Sequence, residues 1–238
     1  MSVLIILVVL ALVALAIVSA INAAQEKERT RRMQQRKWRI QADALIDIVN
    51  CLEQTIPNRK IALYINNEVV LILVQILALE KGASPHIESS IRHSQLRSEE
   101  LANNPVNTLS SYQKDSDAQI TQTQVHLNET IGILRHLGAM NKISDLELDA
   151  LMGEISWAQL MVSAASYIGQ GQKFIALGDR LLAHGYFQKA QQVLMESVHP
   201  DQRRIRMIKE LSEMLDGSRK NMSRDLLPER VQTATMNE

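Results

Sequence analysis

The feature that most constrains this chain is an apolar run near its amino end. From Val3 to Ile21 the sequence carries no charged residue, and Ser19 is the only polar side chain in the run. A helix needs roughly 20 consecutive apolar residues to cross the hydrocarbon core of a bilayer. The run therefore predicts a transmembrane anchor over residues 1–24, and the remaining elements have to be placed relative to a membrane.

A basic segment over residues 25–39, called the collar below, follows the anchor directly. Its cations are Lys27, Arg29, Arg31, Arg32, Arg36, Lys37 and Arg39, against two glutamates. Lys and Arg beside a membrane helix stay on the cytoplasmic side, so the amino terminus is expected outside and the rest of the chain inside the cell. The same cations can contact anionic membrane lipid. The compact anchor suits a bacterial inner membrane.

A cleaved signal peptide is the alternative interpretation of the amino end. A cleaved signal peptide carries its positive charge before a shorter apolar core, whereas here the charge follows a longer one, although Val18-Ser19-Ala20 would pass as a cleavage triplet. A retained anchor is therefore the better hypothesis. The small residues Ala16, Ala20 and Ala24 are spaced to permit close pairing of two helices, and thus a homodimer through the anchor.

Composition narrows the class of the remaining chain. The whole chain has a formal net charge of zero, and since the collar contributes seven cations and two anions, the body is mildly acidic. A nucleic-acid binder would show a basic face instead, so we expect no nucleic-acid partner. Cys51 is the single cysteine, which excludes intrachain disulfides and agrees with a reducing compartment. Only 3% of residues are aromatic, which favours helices packed on helices.

We predict an all-α fold in which the transmembrane helix precedes a multi-helix cytoplasmic domain. Residues 40–103 form an N-terminal helical subdomain, and the turn-rich stretch 104–114 is a linker. Residues 115–217 form a C-terminal helical subdomain, and residues 218–238 are a disordered tail in which Leu226-Leu227 could dock. The anchor helix is expected to run on through the collar and to end at Pro57.

Two apolar patterns fall in the first subdomain. Within 40–56 the residues at helical spacing form one apolar face: Leu45, Ile48, Val49, Leu52 and Ile56. Residues 61–79 are apolar nearly all round and could form a second membrane span. Asn66, Asn67 and Glu68 lie inside that stretch, and polar groups at membrane depth are costly. A buried central helix, with these three residues at its exposed edge, is the better prediction.

One segment carries a family resemblance. Residues 171–200 include Phe174, Leu177, Gly178, Leu181, Gly185, Phe187, Ala190 and Leu194. Before this segment, a helix that begins at the capping box of Ser144 is expected to end at Gly169 and Gly171. The pattern resembles one tetratricopeptide repeat. The resemblance implies a pair of antiparallel helices with a tight turn at Gly185, and a surface that binds proteins or peptides.

The sequence offers no motif for catalysis, a cofactor or a metal. The histidines have no zinc-binding spacing, and no phosphate-binding glycine loop follows a strand. His126 and Glu129 are expected to form a surface pair, and Cys51 to be a packing residue. We therefore predict no enzyme, no cofactor and no metal site.

The function expected is a membrane-anchored adaptor or scaffold that presents a helical protein-binding domain to the cytoplasm. The alternative is a structural or assembly subunit of an inner-membrane complex that oligomerises through the anchor and helix 40–56. An enzyme with a helical site is a third hypothesis, which no motif supports.

Overall fold

The computed structural model describes residues 2–80 and 82–227, and gives the backbone alone for residues 2–18 and Ala20. Over these residues the fold is all-α, as predicted, with one isolated antiparallel bridge between Asn58 and Val106. The seven helices within the described ranges are α1 (Ser2–Thr55), α2 (Arg59–Leu79), α3 (Pro85–Asn103), α4 (Asp117–Ala139), α5 (Asp145–Ala176), α6 (Arg180–Glu196) and α7 (Gln202–Leu215).

Short polar side chains start four of these helices. Ser116 and Ser144 accept hydrogen bonds from the backbone N–H groups of Gln119 and Glu147, at the first turns of α4 and α5. The aspartates before α6 and α7 cap those helices in the same way. Each cap satisfies a backbone donor that the first helical turn leaves without an intrahelical acceptor. The predicted start of a helix at Ser144 is confirmed, but the Glu147 carboxylate accepts from the Tyr64 hydroxyl at 2.6 Å, so the reciprocal bond of a capping box is not observed.

The first helix is continuous from the anchor through the collar to Thr55, as the sequence predicted. Its predicted apolar face is buried: Leu45, Ile48, Val49, Leu52 and Ile56 are all nearly inaccessible to solvent. Pro57 follows because proline cannot continue the backbone hydrogen bonding of the helix. The side chains of the predicted anchor lie almost entirely outside the described residues.

The chain forms two compact units. Unit 1 comprises Met1–Ile46 with Asn67–Arg97, and unit 2 comprises Asp47–Asn66 with Ser98–Glu238. The boundaries between the units fall within α1, α2 and α3, which differs from the predicted division into 40–103 and 115–217. The predicted linker lies inside unit 2.

In unit 1 the carboxyl end of α2 lies beside the collar. The Arg31 guanidinium donates to the carbonyl oxygen of Leu79 at 3.0 Å, which satisfies an acceptor at the end of α2, and Arg39 reaches Glu80 at 3.5 Å. One side of α2 is buried, but Leu71 and Val74 are exposed. The predicted buried central helix is therefore buried on one side only, and its exposed side includes apolar residues as well as the predicted polar edge.

The core of unit 2 lies between α5, α6 and α7. Its fully buried members include Ala164, Ile168, Ala183, Ala190, Leu194, Met207 and Leu211. Small residues on α5 and α6 allow the two helices to approach closely, and the aliphatic side chains of α7 fill the remaining space.

The connection 104–114 is irregular, as expected, but it is hydrogen-bonded to the end of α1. The Asn107 side chain donates to the carbonyl oxygen of Glu53 at 2.6 Å, and the Ser111 backbone N–H donates to that of Gln54 at 2.9 Å. These bonds satisfy carbonyls that the last turn of a helix leaves without partners. The segment therefore caps α1.

Residues 218–227 pack against α7, which corrects the prediction that the disordered tail begins at residue 218. Met222 and Leu226 are buried, and Ser223 donates through both its backbone N–H and its hydroxyl to Glu210 at 2.8 Å. The predicted docking of Leu226 is confirmed. The predicted tail from residue 228 onward lies outside the described residues.

Candidate functional site

The collar divides into paired and unpaired cations. Arg31 and Arg32 both pair with Glu28, at 2.7 and 3.2 Å, and Arg39 pairs with Glu80. Lys27, Arg29, Arg36 and Lys37 are exposed, and the described part of the chain gives them no ion pair. Three of the seven collar cations therefore form ion pairs within the described residues, and four are exposed without one.

By length and composition, α2 is the one helix among the searched residues that could span a membrane, and less than half of its apolar window is buried. The polar triplet within it is split. Asn67 is exposed, as expected, but Asn66 is buried and donates to the Ser98 hydroxyl at 2.8 Å. Burial of an amide is tolerated because this partner satisfies it.

A polar groove of about 470 Å³ lies in unit 2 between the end of α1 and the first half of α4. Residues from both helices and from the connection before α4 line it: Asp47, Asn50, Cys51, Gln54, Lys114, Asp115, Gln119, Gln122, Thr123 and His126. Four of these are amides, which both donate and accept hydrogen bonds. Such a wall suits a polar peptide segment better than an apolar small molecule.

Lys114 and Cys51, which line this groove, both lie beside the Thr55 hydroxyl. The Lys114 ammonium donates to the Thr55 hydroxyl at 2.9 Å, and its backbone N–H donates to Ser166 at 2.8 Å. Cys51 is partly buried, with its sulfur 4.0 Å from the Thr55 hydroxyl, as expected of a packing residue. His126 Nδ1 lies 3.5 Å from a Glu129 carboxylate oxygen, which matches the predicted surface pair.

Helices α5 and α6 form an antiparallel pair, but its turn and its first helix are not where the tetratricopeptide resemblance places them. The predicted break at Gly169 and Gly171 is wrong, because α5 continues to Ala176. A Cβ at Gly171 would lie 2.5 Å from the Phe187 ring. The glycine therefore serves close packing of α5 against α6 rather than termination of the helix.

The turn between the two helices is at Gly178, where φ is +82°. Gly185 lies inside α6, so the predicted turn at Gly185 is also wrong. The left-handed backbone favours glycine because a Cβ would clash with the following carbonyl. The sequence alone does not show which of these glycines lies in a turn and which lies inside a helix, because that depends on the residues that pack against each one.

The predicted hairpin residues separate into two groups. Phe187, Ala190 and Leu194 are buried in the core, and Phe174 stacks on Tyr186 with ring centroids 5.4 Å apart. Leu177 and Leu181 are exposed instead, as is every residue from 175 to 182. The base of the hairpin is thus packed, whereas its tip is not.

Sequence reasoning missed a polar cluster at the base of the hairpin. Trp157 on α5 lies between His199, with ring centroids 5.1 Å apart, and the Arg203 guanidinium, 4.6 Å from its ring centroid. Arg203 in turn pairs with Asp201 at 2.6 Å. A guanidinium over an indole is a favourable cation–π contact. No spacing rule could find the cluster, because Trp157 is about forty positions from the other residues in the sequence and only the folded chain brings them together.

Hydrogen bonding and burial shift the pKa values of two groups in and beside this cluster. Hydrogen bonds from Arg203 lower the pKa of the Asp201 carboxyl below its usual 3.8. Burial raises the pKa of the neighbouring Tyr112 hydroxyl, and the Arg203 cation opposes that change. The arrangement locks the loop between α6 and α7, which is a structural role.

No family model matches this chain, and neither a curated protein nor a solved structure is significantly similar to it.

Proposed function

We propose that the chain is a single-span, membrane-anchored, non-enzymatic adaptor of a bacterial inner membrane. The amino terminus lies outside, and the helical body holds a protein partner at the cytoplasmic face. The observation that carries this proposal is the continuity of α1. This one helix contains the apolar run, the four collar cations that have no ion pair among the described residues, and the buried apolar face of residues 40–56.

The position of the carboxyl end of α2, which belongs to unit 1, supports one membrane span rather than two. Its carboxyl end lies beside Arg31 and Arg39, which are at least ten residues beyond Ile21. At a rise of 1.5 Å per residue, the offset along α1 is about 15 Å or more. A bilayer centred on residues 3–21 would therefore leave α2 beyond its hydrocarbon core. The apolar side of α2 that remains exposed would then face water or a partner.

The polar groove between α1 and α4 is the surface that we assign to the protein partner. Its amides and carboxylates can pair with the backbone and side chains of a polar segment, and grooves beside helices are common peptide sites. The apolar face of helix 40–56, on which the assembly alternative depends, is covered within the chain. That burial favours the adaptor over oligomerisation through this helix.

Site-specific photocrosslinking in the full chain tests the adaptor hypothesis. A benzophenone amino acid replaces Gln122, which lines the groove, and in a matched control it replaces Thr121, which is exposed on another face of α4. We expect a discrete adduct with another protein from position 122 and none from 121. Equal crosslinking at both positions, or adducts only with a second copy of this chain, would contradict the adaptor hypothesis.

A further inference from the structure

The tip of the α5–α6 hairpin is an exposed apolar surface. We use the name hairpin tip for residues 175–182, all of which are exposed. Four of the eight are large aliphatic residues: Ile175 and Leu182 are each 49% exposed, Leu177 is 69% exposed and Leu181 is 85% exposed. Single exposed leucines are ordinary, but a contiguous group on a protrusion is typical of a contact surface.

Backbone hydrogen bonds close the turn of the hairpin tip. The Gly178 N–H donates to Ile175 O and the Asp179 N–H to Phe174 O, which is the two-bond closure of a helix that ends in a left-handed glycine. Asp179 then caps α6 by accepting from the Leu182 N–H at 3.0 Å. The aliphatic side chains are therefore held out from a preorganised turn, and their exposure does not come from a frayed helix end.

The charges around the hairpin tip are mainly positive. Lys173 and Arg180 are exposed and have no ion pair among the described residues. Within the described segment 173–182 the one carboxylate is that of Asp179, which caps α6. We propose that the hairpin tip inserts into the headgroup region of an anionic bilayer. Its aliphatic residues would enter the boundary with the acyl chains, and the two cations would lie among the lipid phosphates.

The composition of the hairpin tip favours lipid over a protein. Protein contact surfaces concentrate their binding energy in aromatic residues that fill pockets, whereas residues 175–182 present four large aliphatic side chains and no aromatic one. Leucine and isoleucine flanked by Lys and Arg are typical of segments that lie in a membrane interface. The inference rests on the proposed function only in that the anchor brings the body to a membrane.

Fluorescence quenching in reconstituted vesicles tests this inference on the full chain. In a Cys51→Ser background, single cysteines at three positions carry an environment-sensitive nitrobenzoxadiazole dye: Leu181→Cys in the hairpin tip, Leu146→Cys as control and Ala11→Cys in the anchor. Leu146 is a matched control because it is also a leucine 85% exposed, near the other end of α5 and about 40 Å away along that helix. The vesicles contain phosphatidylglycerol and phosphatidylcholine, with or without brominated acyl chains.

We expect brominated lipid to quench the dye at position 181 several-fold more strongly than at 146. Replacing Lys173 and Arg180 with Gln, or omitting phosphatidylglycerol, should reduce that quenching while the anchor dye is unaffected. Equal quenching at 181 and 146, with the anchor dye quenched, overturns the inference and leaves the anchor standing. A dye at 181 that is shielded from water but not quenched by lipid shows a protein contact and also overturns it. An unquenched anchor dye contradicts the proposed function itself.

Discussion

The base and the tip of the α5–α6 hairpin use the same residue types in opposite ways. At the base, Leu194 is fully buried against α7, together with Ala190 and Met207. At the tip, Leu181 is 85% exposed beside a turn that backbone hydrogen bonds and the Asp179 cap hold in place. Apolar side chains at the base stabilise the fold, whereas those at the tip are available to an external surface. Leucine in a hairpin does not by itself indicate a core.

The largest expected difference between the two ends is in stability. Leu194→Ala should lower the free energy of unfolding by about 2–5 kcal/mol, since it removes methyl groups from a closed core and leaves a cavity. Leu181→Ala should change it by no more than about 0.5 kcal/mol. Urea unfolding of the full chain in detergent micelles, followed by Trp157 fluorescence in a Trp38→Phe background, measures both. Comparable losses would mean that the tip is packed, and the comparison would fail.

A pair of glycine substitutions sharpens the position of the turn. Gly178→Ala should destabilise by about 1 kcal/mol, because alanine resists the left-handed conformation at φ +82°. Gly185→Ala should stabilise by up to about 1 kcal/mol, because Gly185 lies inside α6 and its added Cβ meets nothing within 4 Å. The midpoints of thermal unfolding give the signs. Reversed signs would restore the turn at Gly185 that the tetratricopeptide resemblance predicts.

The smallest expected effect concerns acid stability at the base. Arg203 lowers the pKa of Asp201 in the folded state, so the unfolded state binds this proton more readily. The stabilisation is therefore complete above the usual pKa of 3.8 and is lost as the pH falls through the folded-state value. Asp201→Asn keeps a capping side chain but should flatten this acid dependence. Urea unfolding at neutral and acid pH measures how the free energy of unfolding depends on pH. The same dependence in the variant and in the unmodified chain would exclude Asp201 as its source.

Much of the fold was predictable where the signal is local. The end of α1 follows from Pro57, and the start of α5 follows from the capping-box pattern that begins at Ser144. The buried face of helix 40–56 follows from its spacing. The glycines at 169, 171, 178 and 185 were not predictable in the same way. Gly171 meets the Phe187 ring from the neighbouring helix, and one sequence does not reveal that contact.

The candidate surfaces depend on long-range packing to a greater degree. The groove joins Asp47 and Cys51 on α1 to Gln122 on α4, residues about seventy positions apart with no shared motif. The cation–π pair of Trp157 and Arg203 arises in the same way. By contrast, the collar cations are visible directly in the sequence. Only the structure shows which of them form ion pairs and which do not.

The measurement that tests the central claim most directly is the topology of the full chain in intact cells. Single cysteines at Ser2 and at Leu109, which is exposed in the connection 104–114, are labelled with a membrane-impermeant maleimide in a Cys51→Ser background. The account predicts labelling at Ser2 in intact cells and at Leu109 only after lysis. Labelling of Leu109 in intact cells would place the body outside and contradict a cytoplasmic adaptor.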